Sequence, residues 1–279
     1  MTLRSLTLRP LKLAALIALG GLGLHLSPAS AHSLWLQPSS TILAKAQWIT
    51  VDAAVSNDFF FYSAAPLALD NLTVTAPDGS TLAPENLLKG KLRSVFDLNL
   101  SQAGTYRIAV VNSGVMASYK LNGEMKRWRG TAESFAKEVP ADAEELKVNE
   151  SLGRIETFAT VGKPSPVKAI GKGLELVQIG AKTSHPNDLV AGEAASFRLL
   201  LDGKPAANLA VTLVRGGTRY RNQLNEIKTS SDGDGKFSVT WPEAGLYFLE
   251  AETKDGKTSV SAAKERRVTY AATLEVLPQ

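Results

Sequence analysis

Apolar and polar residues alternate with period two along much of the chain. Phe197, Leu199 and Leu201 are interleaved with Arg198 and Leu200, then Asp202-Gly203 turns the chain before Ala210-Val211-Thr212-Leu213-Val214. After Asp232-Gly233-Asp234-Gly235, Phe237, Val239 and Trp241 alternate with Ser238 and Thr240. Such alternation between Gly, Asp and Pro turns predicts half-buried antiparallel strands, because successive side chains of a strand point to opposite faces. Phe96, Leu98 and Leu100 alternate with Asp97 and Asn99 in the same way. Further strands are predicted over 48–55, 59–63, 72–76, 92–100, 105–112, 174–179 and 268–277. Ala103-Gly104-Thr105-Tyr106 is echoed by Ala244-Gly245-Leu246-Tyr247, each between two strand-like runs. The fold class predicted is mainly β: two antiparallel sandwich modules of immunoglobulin-like or prealbumin-like build.

Residues 122–171 read differently. Met125-Lys126-Arg127-Trp128-Arg129 is basic and aromatic, and 131–147 is rich in Ala, Glu and Lys with Pro140 inside it. A partly helical insert or linker is expected there, ending in the extended Lys163-Pro164-Ser165-Pro166. The modules are then 32–121 and 172–279.

Residues 1–31 have the layout of a cleaved secretory signal: Arg4, Arg9 and Lys12, an apolar run from Leu13 to about Leu26, and Ala29-Ser30-Ala31 as a small-residue cleavage site. The run is short and broken by Gly20, Gly21 and Gly23, so it does not predict a membrane span. A periplasmic protein without a transmembrane segment in its mature chain is expected. The net charge of +4 is carried largely by this leader: without it, 28 of the 31 basic residues face 27 acidic ones. A near-neutral chain gives no electrostatic footprint for nucleic acid. With no cysteine, disulfides, thiolate metal sites and a cysteine nucleophile are excluded.

Cleavage after Ala31 makes His32 the first residue. An N-terminal histidine offers two nitrogen donors, its amine and its imidazole, a chelate suited to Ni(II), Co(II) or Cu(II). The amine titrates near neutral pH, so a metal can displace its proton. The mature chain has one other histidine, His185, in Ser184-His185-Pro186-Asn187-Asp188. His32 and His185 are the candidate metal ligands, with Asp52 and Asp58 as weaker ones. The same two histidines equally fit a terminal residue without a role and a loop histidine bonded to backbone.

Other motifs carry less. Ser230-Ser231-Asp232-Gly233-Asp234-Gly235 resembles part of a calcium loop, but Trp241 stands where the bidentate Glu belongs, so a hairpin turn is expected. Asp58-Phe59-Phe60-Phe61-Tyr62 fits a docking surface or a strand covered on both sides, and the covered strand is favoured. The basic, aromatic clusters at 126–129 and 215–221 read as solvated faces, with an anionic surface or glycan as the alternative. No nucleophile elbow, paired-histidine zinc motif or phosphate loop occurs, so no catalytic centre is expected.

The chain resembles an exported family of uncharacterised domains labelled periplasmic components of cobalt/nickel transport systems. The resemblance rests on Ala31-His32-Ser33-Leu34-Trp35-Leu36-Gln37-Pro38, Leu174-Glu175-Leu176, 187–193, Asp202-Gly203-Lys204-Pro205 and 231–237, in that order. It implies binding or delivery of a divalent metal; the partner expected is an outer-membrane receptor or transport component. The second module also resembles prealbumin-like repeats. Two alternatives stay open: a protein- or carbohydrate-interaction module without metal, and a copper oxidase built on a two-histidine brace, which needs His32 and His185 to meet.

Overall fold

Where both faces of a strand are covered, alternation gives way to continuous burial, and this happens in the middle of the chain. The structure, a computed structural model, describes residues 33–179 and 184–279. The leader expected over 1–31 and His32 lie outside the described residues.

The first strands are β1 (Ser33–Pro38), β2 (Ile42–Leu43), β3 (Gln47–Ser56), β4 (Ala65–Pro66), β5 (Leu72–Thr75), β6 (Glu85–Lys89) and β7 (Ser94–Leu100). Next come β8 (Gly104–Leu121), β9 (Glu124–Gly130), helix α1 (Ala132–Glu138), β10 (Glu144–Val161) and β11 (Leu174–Gln178). Then follow β12 (Ala194–Leu201), β13 (Lys204–Pro205), β14 (Ala210–Arg215), β15 (Ile227–Ser230), β16 (Lys236–Thr240), β17 (Gly245–Asp255) and β18 (Ala263–Val276). The mainly β, largely antiparallel class is as expected.

They form three sheets. A first sheet has the order β1-β3-β7-β6 with β4 beside β3, and a second small sheet joins β11, β12 and β13, with β16 also on β12. The central sheet runs β15-β14-β17-β18-β10-β8-β5, with β2 beside β10 and β9 beside β8. β10 and β18 pair in parallel, from Val148 opposite Ala263 to Thr157 opposite Thr273. Strands from both ends of the chain therefore share one sheet, and β10 is its hub.

Alternation along β10 assigns the two small sheets to opposite faces. Ile155, Ala159 and Val161 pack with Leu36, Ile49, Val51, Phe96 and Leu98 of the first sheet. Leu152 and Phe158 pack with Leu174, Leu176, Phe197 and Leu199 of the second. Each core is thus one small sheet against its own stretch of the central sheet.

This arrangement corrects the expected insert. Residues 122–171 hold one seven-residue helix, whose N-cap Thr131 exchanges capping hydrogen bonds with Ser134, together with β9 and the 18-residue β10. β10 is the longest strand beside β8, not part of a linker. The predicted strand over 59–63 is a turn instead, with Phe60 at a φ of 61°. Three successive phenylalanines cannot all enter one core from a flat strand; the turn sends their rings in different directions. The turn expected at 230–235 is present, but it does not close a hairpin, since β15 pairs with β14 in the central sheet and β16 with β12 in the second. Asp232 Oδ1 accepts the N–H groups of Asp234 and Lys236 at 2.9 and 2.8 Å, leaving that oxygen to the turn and not to calcium.

The Ala-Gly-x-Tyr echo has a structural counterpart. Gly104 and Gly245 open β8 and β17 at φ values of 121° and 137°, where a Cβ is strained. Two residues on, Tyr106 and Tyr247 are each 1% exposed. The Tyr106 hydroxyl accepts the Gln102 N–H at 2.7 Å, and the Tyr247 hydroxyl donates to the Glu243 carbonyl at 2.8 Å. Both bonds reach back four residues, the construction of the tyrosine corner in immunoglobulin-like sandwiches.

Between the central sheet and the second sheet lies a buried charge cluster. Arg107 on β8, Arg154 and Glu156 on β10, and Glu175 on β11 are all at most 5% exposed. Arg107 Nε is 3.4 Å from Glu156 Oε2, and Arg107 Nη1 is 3.8 Å from Glu175 Oε2. Glu156 Oε1 accepts the Tyr270 hydroxyl at 2.5 Å, and burial with that carboxylate pushes the phenol far above its ordinary range. Glu175 accepts the Ile170 and Gly171 N–H groups, both at 2.7 Å. The arginines also donate to the carbonyls of Lys168 and Lys172, at 2.9 and 3.1 Å.

Removing Glu156 leaves Arg154 without its carboxylate and Arg107 with only the more distant Glu175. Glu156→Ala is predicted to destabilise the protein by about 3–5 kcal/mol, because two buried arginines lose their shared carboxylate. Urea unfolding followed by tryptophan fluorescence measures this. A loss no larger than that of an exposed pair, about 0–1 kcal/mol, would show that the cluster does not hold the halves together.

Candidate functional site

β1 is the edge strand of the first sheet, paired only with β3, from Ser33 opposite Ser56 to Pro38 opposite Val51. Two consecutive residues, Trp35 and Leu36, are both 0% exposed, so β1 is covered on both faces. Leu36 enters the core between the first and central sheets. Trp35 packs with Ala54 and Phe248, and with Phe59, Phe60 and Tyr62 from the turn after β3.

The aromatic run is therefore the cover for the start of β1. The Trp35 ring lies 5.6 Å from Phe60, edge-on, and 5.3 Å from Tyr62; Phe59 stacks on Phe248 at 4.6 Å. Phe61 faces outward and is capped by the Arg219 guanidinium, 3.6 Å from its centroid. Arg93 sits 4.6 Å over Tyr62. All four aromatic residues are half-buried, which favours the covered reading over an open docking surface, although the covering is a turn and not a strand.

The carboxylates nearby are not equivalent. Asp52 is engaged by both oxygens: Oδ2 accepts the Tyr62 hydroxyl at 2.8 Å, and Oδ1 lies 3.3 Å from Arg93 Nε. Burial and this Asp52 contact push the Tyr62 phenol up to about 12. Asp58 stands two residues beyond Ser56, the partner of Ser33. Its backbone N–H donates to Ser56 Oγ at 3.2 Å, and its carboxylate has no hydrogen bond or ion pair among the described residues. Asp58 is thus the carboxylate left available beside the start of β1.

His185 is occupied elsewhere. It is 4% exposed. Nδ1 accepts the Asn187 N–H at 3.0 Å, and Nε2 lies 3.0 Å from the Ser165 carbonyl and 3.3 Å from Thr105 Oγ1. The Nε2–H tautomer satisfies this set, with Nδ1 as acceptor. Asn187 continues the clasp, donating to the carbonyls of Thr41 and Phe158 at 2.7 and 3.1 Å. Ser33 and Pro38 are about 16 Å apart along β1 at strand rise. The His185 loop meets the chain at Thr41, beyond Pro38, so the structure does not bring His185 to the Ser33 end. The expected second ligand is a buried clasp residue with both nitrogens engaged, and a two-histidine brace would require it to leave that site.

Among the described residues no group of three or more His, Asp or Glu side chains is placed to hold a metal ion. They offer Asp58 as a donor next to Ser33. Also among the described residues, no helix is long and apolar enough to cross a membrane. Sequence reasoning missed the buried Arg107, Arg154, Glu156 and Glu175; their signal was charge inside otherwise apolar, β-branched runs.

The His185 clasp has a pH signature. Burial holds the imidazole pKa below its ordinary value. The unfolded chain then takes up a proton first as pH falls, so the stabilising contribution is complete above the unfolded value of about 6.5 and shrinks below it. Glu250 acts with the opposite sign, since burial raises its carboxyl. The prediction is a lower urea midpoint at pH 5.5 than at 7.5, with a smaller difference in His185→Gln, which keeps a donor and an acceptor. An unchanged difference in that variant would remove His185 as the cause.

Residues 29–255 match the model of a domain of unknown function, DUF4198. No curated protein matches the chain. Among solved structures, a DUF4785 family protein from Legionella pneumophila is 11% identical, with 80% of this chain and 52% of that one covered at a TM-score of 0.25. The chain thus spans about half the length of that protein. The D0-D1 domain of intimin is 12% identical, covering 86% of this chain and 97% of that one at 0.21. Alpha-2-macroglobulin from Escherichia coli is 14% identical, covering 91% and 16% at 0.21. At such scores these likenesses carry no argument about this chain.

Proposed function

Given that the chain belongs to the DUF4198 family, matched over residues 29–255, we propose that it is an exported, non-catalytic protein that binds one divalent transition metal as cargo. Nickel, cobalt and copper suit the donors. The ligands are the amine and imidazole of His32, freed by cleavage after Ala31, with the Asp58 carboxylate as a third. A periplasmic uptake system, through an outer-membrane receptor or transport component, is the recipient.

The observation that carries this reading is the pairing of Ser33, the residue after His32, with Ser56, two residues before the unpaired Asp58. Two nitrogens and one carboxylate form a borderline donor set that selects among transition metals and against calcium or magnesium. A partial shell leaves positions for a recipient's ligands, which suits delivery better than storage. His185 has no part in it. The alternative of a metal-free interaction module has less support, since its aromatic surface is spent on Trp35 and Phe248.

Calorimetry at neutral pH, on protein without a histidine tag, tests this. Protein beginning at His32 is predicted to bind Ni(II) or Cu(II) with one-to-one stoichiometry. One added residue before His32 turns the amine into an amide and should weaken binding on the order of tenfold or more, the least that losing a supporting partner costs. Asp58→Asn should also weaken it, and His185→Gln should not. Equal affinity of the extended and processed proteins would overturn the N-terminal site.

A further inference from the structure

Past the reach of the first sheet, the central sheet continues as the far parts of β8 and β10, with β9 beside β8 and the start of β18 beside β10 up to Val148. One face of this arm is covered: Val115, Ala117, Tyr119 and Val148 pack with Val139, Val260 and Ala263, and with Trp128 and Phe135. The other face carries the basic cluster found in the sequence. Ser118 stands opposite Arg127 on one side and Lys147 on the other. Met116 stands likewise between Arg129 and Asn149, and Lys120 is opposite Met125. Arg127, Arg129, Lys147 and Asn149 are exposed, and Met116 and Met125 are 46% and 58% exposed.

Charge on this face is one-sided. Lys120 is paired with Glu145, and Glu144 lies opposite Lys120 at the same end. Arg127 and Arg129 have no carboxylate partner among the described residues. Lys147 shares Glu145 with Lys120: the Lys120 hydrogen bond, helped by the charge of Lys147, holds that carboxyl below its ordinary range. In a mature chain of 28 basic and 27 acidic residues, two uncompensated arginines beside exposed methionines are a local departure.

We propose that this face of the arm docks on an anionic lipid bilayer. Cations on adjacent strands are spaced by about 4.8 Å per strand, and by about 6.8 Å for every second residue along a strand. That is a flat two-dimensional grid, which meets many headgroup phosphates at once. A peptide that adds a strand reads a sheet edge, not a face. The methionines argue for lipid over a soluble polyanion: long, unbranched, polarizable side chains in the middle of a cationic face gain from entering the headgroup boundary and gain nothing from phosphate or sulfate. Each cation near an anionic surface adds about fivefold to binding, so Arg127 and Arg129 together give about 25-fold. Such a contact is reversible and weakens with salt.

The test uses the mature chain and vesicles of phosphatidylcholine, alone or with about one-third phosphatidylglycerol. Co-sedimentation is expected only with the anionic vesicles and is expected to decline as salt rises. Arg127→Gln combined with Arg129→Gln should weaken it about 25-fold, whereas Lys89→Gln on β6 should match the parent. Met116→Ser with Met125→Ser should weaken it at constant charge, which distinguishes insertion from simple counterion attraction. All four side chains are exposed, so thermal unfolding of the variants should match the parent and separate lost docking from lost folding. The proposal is overturned by indifference to anionic vesicles, by full binding without the two arginines, or by retention on a soluble sulfated polysaccharide without vesicle binding.

Discussion

The buried cluster of Arg107, Arg154, Glu156, Glu175 and Tyr270 is the constraint on which the architecture depends. It joins β8, β10 and β18 of the central sheet to β11 of the second sheet. Taking four charges out of water costs several kcal/mol per ion, and their mutual attraction offsets that only with the geometry kept. The backbone donors of Ile170 and Gly171 and the carbonyls of Lys168 and Lys172 complete the shell. The 168–171 connection is thereby held against the sheet instead of acting as a loose tether.

The same cluster sets register. A shift of β10 by one residue would turn Arg154 and Glu156 toward Leu36, Val51 and Phe96, where no partner waits, and would turn Ile155 toward Glu175. An apolar strand buried on both faces lacks such a penalty and is prone to slip. With β10 held, the two small sheets fall on opposite faces, and the His185-Asn187 clasp ties β2, β8 and β10 at one end of the overlap.

The features on which the proposed binding roles rest lie at the margins of this frame. The start of β1 lies at a sheet edge, under a cover of aromatic rings that commits Asp52 to Tyr62 and Arg93, while Asp58 has no such partner among the described residues. The arm lies where the central sheet outruns the first sheet, so helix α1 can protect one face and the other stays open. Neither feature requires the core to move, which suits the binding roles proposed for them.

The strands with one wet face were legible in the sequence, because burial on one side writes itself as period two: β3, β5, β7, β12 and β16 all follow it. The turn at Asp232-Gly235 and the Gly-x-Tyr corners were legible because backbone conformation there restricts residue type. β10 was not. Its buried stretch, Leu152 to Val161, contains Arg154 and Glu156, and local composition has no means of showing that Glu156 is paired with Arg107 and accepts the Tyr270 hydroxyl from positions 49 and 114 residues away. The N-terminal donor pair of His32 was visible as a sequence pattern. That Asp52 is engaged while Asp58 has no partner among the described residues, and that His185 is held in a clasp, were decided by tertiary contacts, since each depends on which groups distant segments bring to the same place.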